Sequence, residues 1–184
     1  MPSRLRLECP KSTRAAAIGI RSSMCDRGGN LIWLTMSFGG RTILNGLNLT
    51  IQSGERVVVL GPSGCGKSTL LRLIAGLSVP TRGTVSFDGT IASRDGQILV
   101  PPERRGLSYV FQDLALWPHM TVFENVEFPL KAKRESAAWR QRRVREVLSL
   151  AGLDTLGERF PVSLSGGEQQ RVAICRALDR KSVV

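Results

Sequence analysis

The sequence lacks long apolar runs, and its uninterrupted apolar stretches span only a few positions. A helix that crosses a bilayer needs about 20 such residues, so this pattern excludes a membrane-spanning segment. Cysteine is also scarce. The four cysteines are widely scattered and do not have the spacing of a metal site: Cys9, Cys25, Cys65 and Cys175. This distribution favours a reducing cytoplasm over a disulfide framework.

Acidic residues are in the minority, with 15 Asp and Glu against 26 Lys and Arg, which gives a net charge of +11. Such a charge could indicate a nucleic acid or an anionic membrane surface as a partner. The basic residues cluster in residues 1–30 and again between Lys131 and Arg145, and neither cluster contains interleaved aromatics or a nucleic-acid motif. A solvated helix face explains the second cluster about as well as a partner does, so no nucleic-acid partner is expected.

The length of 184 residues favours one domain with a sizeable core. Residues 1–30 are rich in Arg, Ser and Ala and show no hydrophobic period. We predict a disordered basic extension there. An organelle transit peptide has a similar composition, and a misassigned translation start would also produce such a segment. A folded domain is predicted from residue 31 onward.

The stretch Gly61-Pro62-Ser63-Gly64-Cys65-Gly66-Lys67-Ser68-Thr69 fits the phosphate-binding pattern G-x-x-x-x-G-K-[ST] without a mismatch. The apolar, β-branched run that ends at Leu60 predicts a buried strand before it. Residues 68–75 predict a helix that Gly76 ends. A glycine turn could match the pattern by chance, but the strand and the helix on either side favour a phosphate-binding loop.

Each residue type in this loop suits the binding of phosphate. Gly61, Gly64 and Gly66 can adopt positive φ, which lets the backbone approach a ligand closely. Backbone N–H groups and the positive end of the helix would then converge on phosphate oxygens. Lys67 is predicted to reach the β- and γ-phosphates of a nucleotide, and the Ser68 hydroxyl is predicted to ligate Mg²⁺.

Further strands are predicted from local patterns. Apolar residues alternate with polar ones at 47–51, which is typical of a half-buried strand. Residues 84–87 predict a strand that enters a hairpin turn at Asp88-Gly89. A short strand is also predicted at 107–111.

The pattern becomes helical after residue 120. Thr121 and Glu124 have the spacing of a capping box, and Ser136 could cap the next helix. In that helix four apolar residues recur at i, i+3, i+4 and i+7 and predict a buried face: Val144, Val147, Leu148 and Ala151. A second capping box at 165–168 opens a helix toward Leu178.

The segment Leu164-Ser165-Gly166-Gly167-Glu168-Gln169-Gln170-Arg171 places a hydroxyl and two glycines at the start of a helix. This is a second potential anion site, built like the first one. Taken alone, an ordinary glycine-bearing helix start would explain it equally well. Together with the phosphate loop it resembles the signature of ATP-binding-cassette (ABC) ATPases, and the resemblance covers residues 31–178 in the right order.

This resemblance gives other residues a role. Phe38 stands where the family places the aromatic that stacks on adenine, although simple packing would explain a lone phenylalanine. Gln112 stands at the Q-loop glutamine, which contacts Mg²⁺ and the attacking water. Residues 110–121 resemble the ATPases of bacterial importers that serve sugars, polyamines, iron and other inorganic ions. Within them, His119 is implied to lie near the surface that meets the membrane subunits and not to be catalytic.

The resemblance implies an α/β fold, namely a P-loop NTPase with a RecA-like core, an antiparallel β subdomain and an ABC α-helical subdomain. The ATP-binding domain would span 31–184, with part of the nucleotide-binding core at 31–111 and the helical subdomain with the signature helix at 112–178. In this family two domains dimerise head to tail. Lys67 and Gln112 would serve catalysis, while the partner's ATP would be contacted in trans by Ser165, Gly166 and Gly167.

The implied function is that of a transport-coupled ATPase subunit that uses ATP binding and hydrolysis to drive solute import. It would be cytoplasmic and peripheral on the inner face of the cell membrane, with permease subunits and, indirectly, a solute-binding protein as partners. The permease and binding protein select the solute, so the sequence does not name it. Two alternatives stay open: a non-catalytic nucleotide-binding or interaction fragment, and a cassette ATPase that acts on nucleic acid or translation.

The sequence departs from the family after the signature helix. In the family a strand that ends in the Asp-Glu pair of Walker B follows, and a switch histidine comes after it. In this sequence Asp179 is the only carboxylate after Arg171. The chain therefore resembles a subunit truncated at its C-terminus, with an incomplete core, and is expected to be inactive alone. In the family the strands beside 57–60 come from that later sequence, so unpaired strand edges are expected here.

Overall fold

The computed structural model describes residues 3–6, 18–20, 28–132 and 135–178. The chain forms two compact units, Met1–Leu107 and Ser108–Val184. Most of the predicted disordered extension at 1–30 lies outside the described residues, as do Cys9, Cys25 and Asp179.

The first unit contains a five-stranded antiparallel sheet in the order β4-β3-β6-β7-β8. Its strands are β3 (Gly29–Phe38), β4 (Arg41–Ile51), β6 (Arg82–Phe87), β7 (Thr90–Arg94) and β8 (Gln97–Ile98). The strands predicted at 47–51 and 84–87 are confirmed within β4 and β6. The predicted hairpin turn joins β6 to β7, with φ values of 48° at Asp88 and 77° at Gly89. Two successive positive φ values match the twist of the strands that such a turn connects.

The predicted strand and helix on either side of the phosphate loop are confirmed as β5 (Val57–Leu60) and α1 (Lys67–Ala75). Gly76 ends α1 in a left-handed conformation, with φ of 78°. Glycine suits this position because it has no Cβ and therefore adopts the left-handed conformation without strain.

Both edges of β5 are paired, so the expectation of unpaired edges is wrong. Strand β1 (Ser3–Arg6) lies parallel to β5 on one side, and β2 (Ile18–Ile20) lies antiparallel on the other. An exposed edge presents unpaired N–H and C=O groups that favour pairing with any available strand. Here two short segments from the start of the chain satisfy those groups.

A hydrophobic core holds the phosphate-loop elements against the antiparallel sheet. Val59 of β5 and Leu70 and Leu73 of α1 are fully buried in it. The sheet contributes five more buried apolar side chains to this core: Leu31, Leu34, Met36, Leu44 and Val85. Close packing of this kind fixes the loop between β5 and α1, because interiors leave few voids into which side chains could move.

The second unit is helical, with α2 (Val122–Lys131), α3 (Ala137–Leu150) and α4 (Gly166–Leu178). The predicted caps are confirmed, since Thr121 and Ser136 accept hydrogen bonds from the backbones of Glu124 and Trp139 at 3.2 Å each. The predicted apolar face of α3 is confirmed too. Its buried residues join a core with members of α2 and α4, among them Val126, Leu130, Val172 and Cys175. No helix in the described part of the chain is long and apolar enough to cross a membrane.

The strand predicted at 107–111 is wrong. These residues have no regular structure, and Val110 and Phe111 remain 41% and 38% exposed. A strand is stabilised by hydrogen bonds to a neighbour, and the sheets of the described residues do not pair with this stretch. The rings of Tyr109 and Phe111 pack edge to face instead, with centroids 4.9 Å apart.

Candidate nucleotide-binding site

The phosphate loop leaves β5 at Leu60 and enters α1 at Lys67, and two of its three glycines have the predicted conformation. Gly64 and Gly66 have φ values of 79° and 96°. Gly61 does not have positive φ, so the prediction is wrong for that residue. The left-handed conformation is costly for residues that carry a Cβ, which explains glycine at 64 and 66.

Gly66 is also required by packing. A Cβ built on it would lie 2.9 Å from Cδ2 of Leu44 and 3.1 Å from Cγ2 of Ile43. Both side chains belong to β4, so the end of the loop lies directly against the antiparallel sheet. This close approach fixes the position at which α1 begins.

The start of α1 differs from the starts of the other three helices. Side-chain hydroxyls of Thr121, Ser136 and Ser165 cap α2, α3 and α4. Gly66 precedes α1 and offers no side-chain cap. The first backbone N–H groups of any helix have no acceptor within the helix, and together they favour an anion. The loop thus presents uncapped donors where the sequence predicts a phosphate group.

Lys67 is folded back onto this loop and is only 6% exposed. Its ammonium group donates to the carbonyl oxygens of Gly61 and Pro62 at 2.7 Å each. It also lies 3.7 Å from Sγ of Cys65. A buried ammonium group with only neutral acceptors is well placed for an anion, because an opposite charge would offset its loss of hydration.

The remaining predicted residues of the first unit lie around the loop. The side chains of Ser63 and Ser68 are exposed, Pro62 and Thr69 are half-buried, and Cys65 is buried in the core. Phe38 ends β3, is 55% exposed and pairs with Arg41, two residues from the Ile43 that contacts the loop. Its aromatic ring is therefore available to stack on a flat ligand near the loop.

The second anion site that the sequence predicts would lie in the second unit, at the start of α4, where a capping box is present. The backbone N–H of Ser165 donates to Glu168 Oε2 at 2.7 Å, its hydroxyl donates to the same oxygen at 2.7 Å, and Ser165 Oγ accepts from the backbone of Glu168 at 3.3 Å. The hydrogen bonds from Ser165 hold the pKa of Glu168 below its usual range. Gly166 and Gly167 are exposed, and a Cβ on either would meet no atom within 4 Å. Their backbone is open to a partner molecule.

Gln112 is exposed and begins the turn 112–115 of the second unit. The segment after it carries an aromatic pair, in which the rings of Trp117 and Phe128 lie 4.4 Å apart. His119 is exposed. The structure thus divides the predicted residues into two sets, with Phe38 and the loop in the first unit and with Gln112 and 165–167 in the second.

Sequence analysis missed a buried asparagine that shapes the segment before α2. The side chain of Asn125 is fully buried. It accepts from the backbone N–H of Trp117 at 2.9 Å and donates to the carbonyls of Trp117, Met120 and Thr121 at 2.9–3.1 Å. The sequence does contain a signal for this buried asparagine, because Asn125 stands one helical turn after Val122, on the apolar face of α2. A polar residue on such a face is normally hydrogen-bonded.

Sequence analysis also missed a buried arginine behind the phosphate loop. Arg105 is 2% exposed, and its guanidinium donates to the carbonyls of Leu73 and Ile74 in the last turn of α1. It also donates to the carbonyls of Val100 and Ala92 and to the Ser93 hydroxyl. A cation at the C-terminus of a helix is favoured by the helix dipole. The sequence gives no signal that separates Arg105 from Arg104, its exposed neighbour.

The second basic cluster forms internal ion pairs. Lys131 and Arg140 both contact the buried carboxylate of Glu127 at 3.2 Å. Arg142 and Arg143 contact Glu146 at 3.8 and 3.2 Å. Lys133 and Arg134 lie outside the described residues. The pairs at Glu146 fit the interpretation of a solvated helix face, whereas the Arg140–Glu127 pair is largely buried.

The described residues contain no group of three or more His, Cys, Asp or Glu side chains that could hold a metal ion. Ser68 directly follows the buried Lys67, and its exposed hydroxyl is the type of hard oxygen ligand that Mg²⁺ prefers.

Comparisons with known proteins agree on one family. A family model described as ABC transporter matches residues 44–184. The sn-glycerol-3-phosphate import ATP-binding protein UgpC 1 of Rhizobium johnstonii is 47% identical over 148 residues, which cover 80% of this chain and 39% of that protein. The trehalose/maltose import ATP-binding protein MalK of Thermococcus litoralis is 46% identical over 158 residues, which cover 85% of this chain and 42% of that protein.

A third relative, the spermidine/putrescine import ATP-binding protein PotA of Haemophilus influenzae, is 47% identical over 148 residues, or 80% of this chain and 38% of that protein. The chain thus spans about two fifths of the length of these relatives. Among solved structures, the dimeric post-hydrolysis state of the ATP-binding cassette MJ0796 with bound ADP and Pi is 36% identical. It matches with a TM-score of 0.69 over 83% of this chain and 69% of that chain.

Proposed function

The chain belongs to the ABC transporter family, and we propose that it is the ATP-binding part of a subunit that couples ATP to the import of a solute. The observation that carries this proposal is the phosphate loop. It combines an uncapped helix start with a buried Lys67 ammonium group that only neutral oxygens and a sulfur contact. The relatives whose names specify import support the direction of transport.

Within this proposal, residues 61–69 hold the phosphates of ATP and Phe38 stacks on the adenine. The Lys67 ammonium group would move from the carbonyl oxygens of Gly61 and Pro62 to the β- and γ-phosphates. Charged hydrogen-bond acceptors would thereby replace two neutral ones. Hydrogen bonds between charged partners are shorter and roughly twice as strong as neutral ones. Mg²⁺, held by the Ser68 hydroxyl, would neutralise part of the phosphate charge.

The start of α4 serves a second copy of the domain. Ser165, Gly166 and Gly167 are exposed and flank the positive end of a 13-residue helix. In a head-to-tail dimer they would contact the ATP that is bound to the partner's loop. The dimeric state of the MJ0796 structure supports the proposal that two such domains associate.

The surface around Trp117 is proposed to meet the permease subunits at the inner face of the membrane. Trp117 and Phe128 form an aromatic pair beside the exposed Pro118 and His119. Backbone hydrogen bonds to Asn125 hold this segment in one conformation. Exposed apolar surface on a rigid segment is typical of a protein interaction site.

Co-purification from native membranes solubilised in detergent tests the importer proposal against the alternatives. A tagged chain should retain a membrane protein with several spans, identified by mass spectrometry, and the double variant Trp117→Ala with Phe128→Ala should lose it. Trp33→Ala, which removes a 71% exposed tryptophan from the first unit, is the matched control and should retain the partner. Retention of nucleic acid, or of no partner, would contradict the importer proposal.

A further inference from the structure

Two consecutive residues after Gln112 have a conformation that side chains disfavour. Leu114 and Ala115 have φ values of 60° and 43°. A residue with a Cβ is strained in this left-handed region, and two in succession add their costs. Some interaction must therefore hold them in place. The turn itself provides one hydrogen bond, from the backbone N–H of Leu114 to the carbonyl of Phe111 at 3.0 Å.

The second interaction comes from α4. The guanidinium of Arg176 donates to the carbonyl oxygen of Ala115 at 2.6 Å and to that of Leu114 at 2.7 Å. Its Cζ also lies 4.8 Å from the ring centroid of Trp117. One side chain thus contacts three residues of the segment 114–117, through a planar group whose donors are fixed relative to one another.

The far end of the same segment is held by α2. The amide of Asn125 accepts from the N–H of Trp117 and donates to its carbonyl, at 2.9 and 3.1 Å. The segment 114–117 is therefore fastened at both ends, by Arg176 from α4 and by Asn125 from α2. Asn125 is fully buried in the helical core, whereas Arg176 stands near the end of α4, eight residues after Glu168.

We infer that Arg176 is a positioning residue that makes the conformation of 114–117 depend on the position of α4. Helix α4 begins at the residues proposed to contact a partner's ATP, and 114–117 connects Gln112 to the proposed permease surface. A displacement of α4 would move two carbonyl groups and the Trp117 ring together. The functional meaning of this coupling rests on the proposed function, but the coupling itself concerns only the second unit.

The chemistry of arginine distinguishes this role from that of a general positive charge. Lysine at position 176 would keep the charge and most of the stem, but its single ammonium group lacks the planar fork that reaches both carbonyls. Burial lowers the pKa of Arg176, although the group stays protonated at neutral pH. Arg176→Lys should therefore fail to replace arginine, as Arg176→Met does.

Hydrogen–deuterium exchange of the whole chain tests the inference. In Arg176→Lys and Arg176→Met, amides at 113–117 should exchange at least about tenfold faster, while amides of α2 at 126–130 keep their rates. Arg142→Met is the matched control, because it removes a 71% exposed arginine from α3 and should change neither segment. If Arg176→Met does not fold, Arg176→Lys alone carries this comparison.

A second-site variant tests whether Arg176 acts by holding the left-handed backbone. Glycine adopts positive φ readily. Ala115→Gly should therefore reduce the loss of stability that replacing Arg176 causes. The drop in Tm caused by Arg176→Lys should be smaller in the Ala115→Gly background than in the natural chain. Additive drops in Tm, or equal acceleration of exchange in α2 and 113–117, would overturn the inference. Nucleotide is absent from both experiments, so a failure of ATP binding would not affect them.

Discussion

The guanidinium of Arg105 fills the space that a side chain at position 76 would need. A Cβ built on Gly76 would lie 2.5 Å from Nε and 2.6 Å from Cζ of Arg105. Gly76 ends the helix that begins at the phosphate loop, and Arg105 binds the last carbonyls of that helix. The two residues therefore fix the far end of α1, and the geometry of the loop depends on both.

Replacing Gly76 by alanine should destabilise the protein by ~2–4 kcal/mol, from left-handed strain and the clash with Arg105 together. Gly96→Ala is a matched control, because Gly96 has a similar φ of 82° but no atom within 4 Å of its Cβ position. Gly96→Ala should lower the free energy of unfolding only by the left-handed strain, about 1–2 kcal/mol. Denaturant unfolding measures both variants. Equal losses of stability would show that the clash with Arg105 has no energetic effect.

Replacing Arg105 by methionine should lower the free energy of unfolding by about 3 kcal/mol or more. The change removes the guanidinium donor from the carbonyl oxygens of Ile74 and Val100, and each unsatisfied group costs about 1–3 kcal/mol. Arg104→Met changes the exposed neighbour and should stay within about 0.5 kcal/mol of the natural protein. Thermal unfolding followed by circular dichroism separates the two. A similar Tm for both variants would contradict the structural role of Arg105.

The capping box of α4 should depend on pH. The hydrogen bonds from Ser165 hold the folded-state pKa of Glu168 below the ordinary value of 4.5, so its stabilising effect is present above pH 4.5 and is lost as the pH falls through the folded-state pKa. Amide NMR signals of 165–168 should report this loss during an acid titration. In Glu168→Gln the same signals should not titrate. A titration that is unchanged in that variant would assign the effect to another group.

Cys175 should resist alkylation in the folded protein. Burial raises the pKa of its thiol to about 11, so at pH 8 almost none of it is the reactive thiolate. Iodoacetamide treatment followed by peptide mass spectrometry should find Cys175 unmodified until the protein is denatured. Rapid modification at pH 8 under native conditions would show that α4 leaves the helical core.

The sequence predicted the elements that local patterns encode. The loop strand, the loop helix with its Gly76 end, the capping boxes at Thr121 and Ser165 and the buried face of α3 are all confirmed. Each depends on residues within one or two helical turns of one another, so the sequence contains the full signal.

Predictions that depended on distant partners were less successful. The strand at 107–111 has no neighbour among the described sheets, and β5 has partners that no local pattern indicates. Arg105 and Arg176 stand out only through carbonyl groups that lie 32 or 62 residues away in the chain. An arginine that pairs with a carboxylate can be predicted from an acidic residue in the sequence. An arginine that binds backbone carbonyl oxygens cannot, because every residue has such an oxygen.

Isothermal titration of the chain with MgATP tests the central claim, ATP binding at the phosphate loop, most directly. Lys67→Ala removes the buried ammonium group and should weaken binding by about tenfold or more, which corresponds to the loss of a charge-assisted hydrogen bond. Lys131→Ala removes an equal charge at a side chain that is 53% exposed and should leave the affinity unchanged. Thermal unfolding would establish that both variants are folded. Saturable MgATP binding that only Lys67→Ala weakens is the predicted result, and equal affinity in the natural chain and in Lys67→Ala would contradict the account.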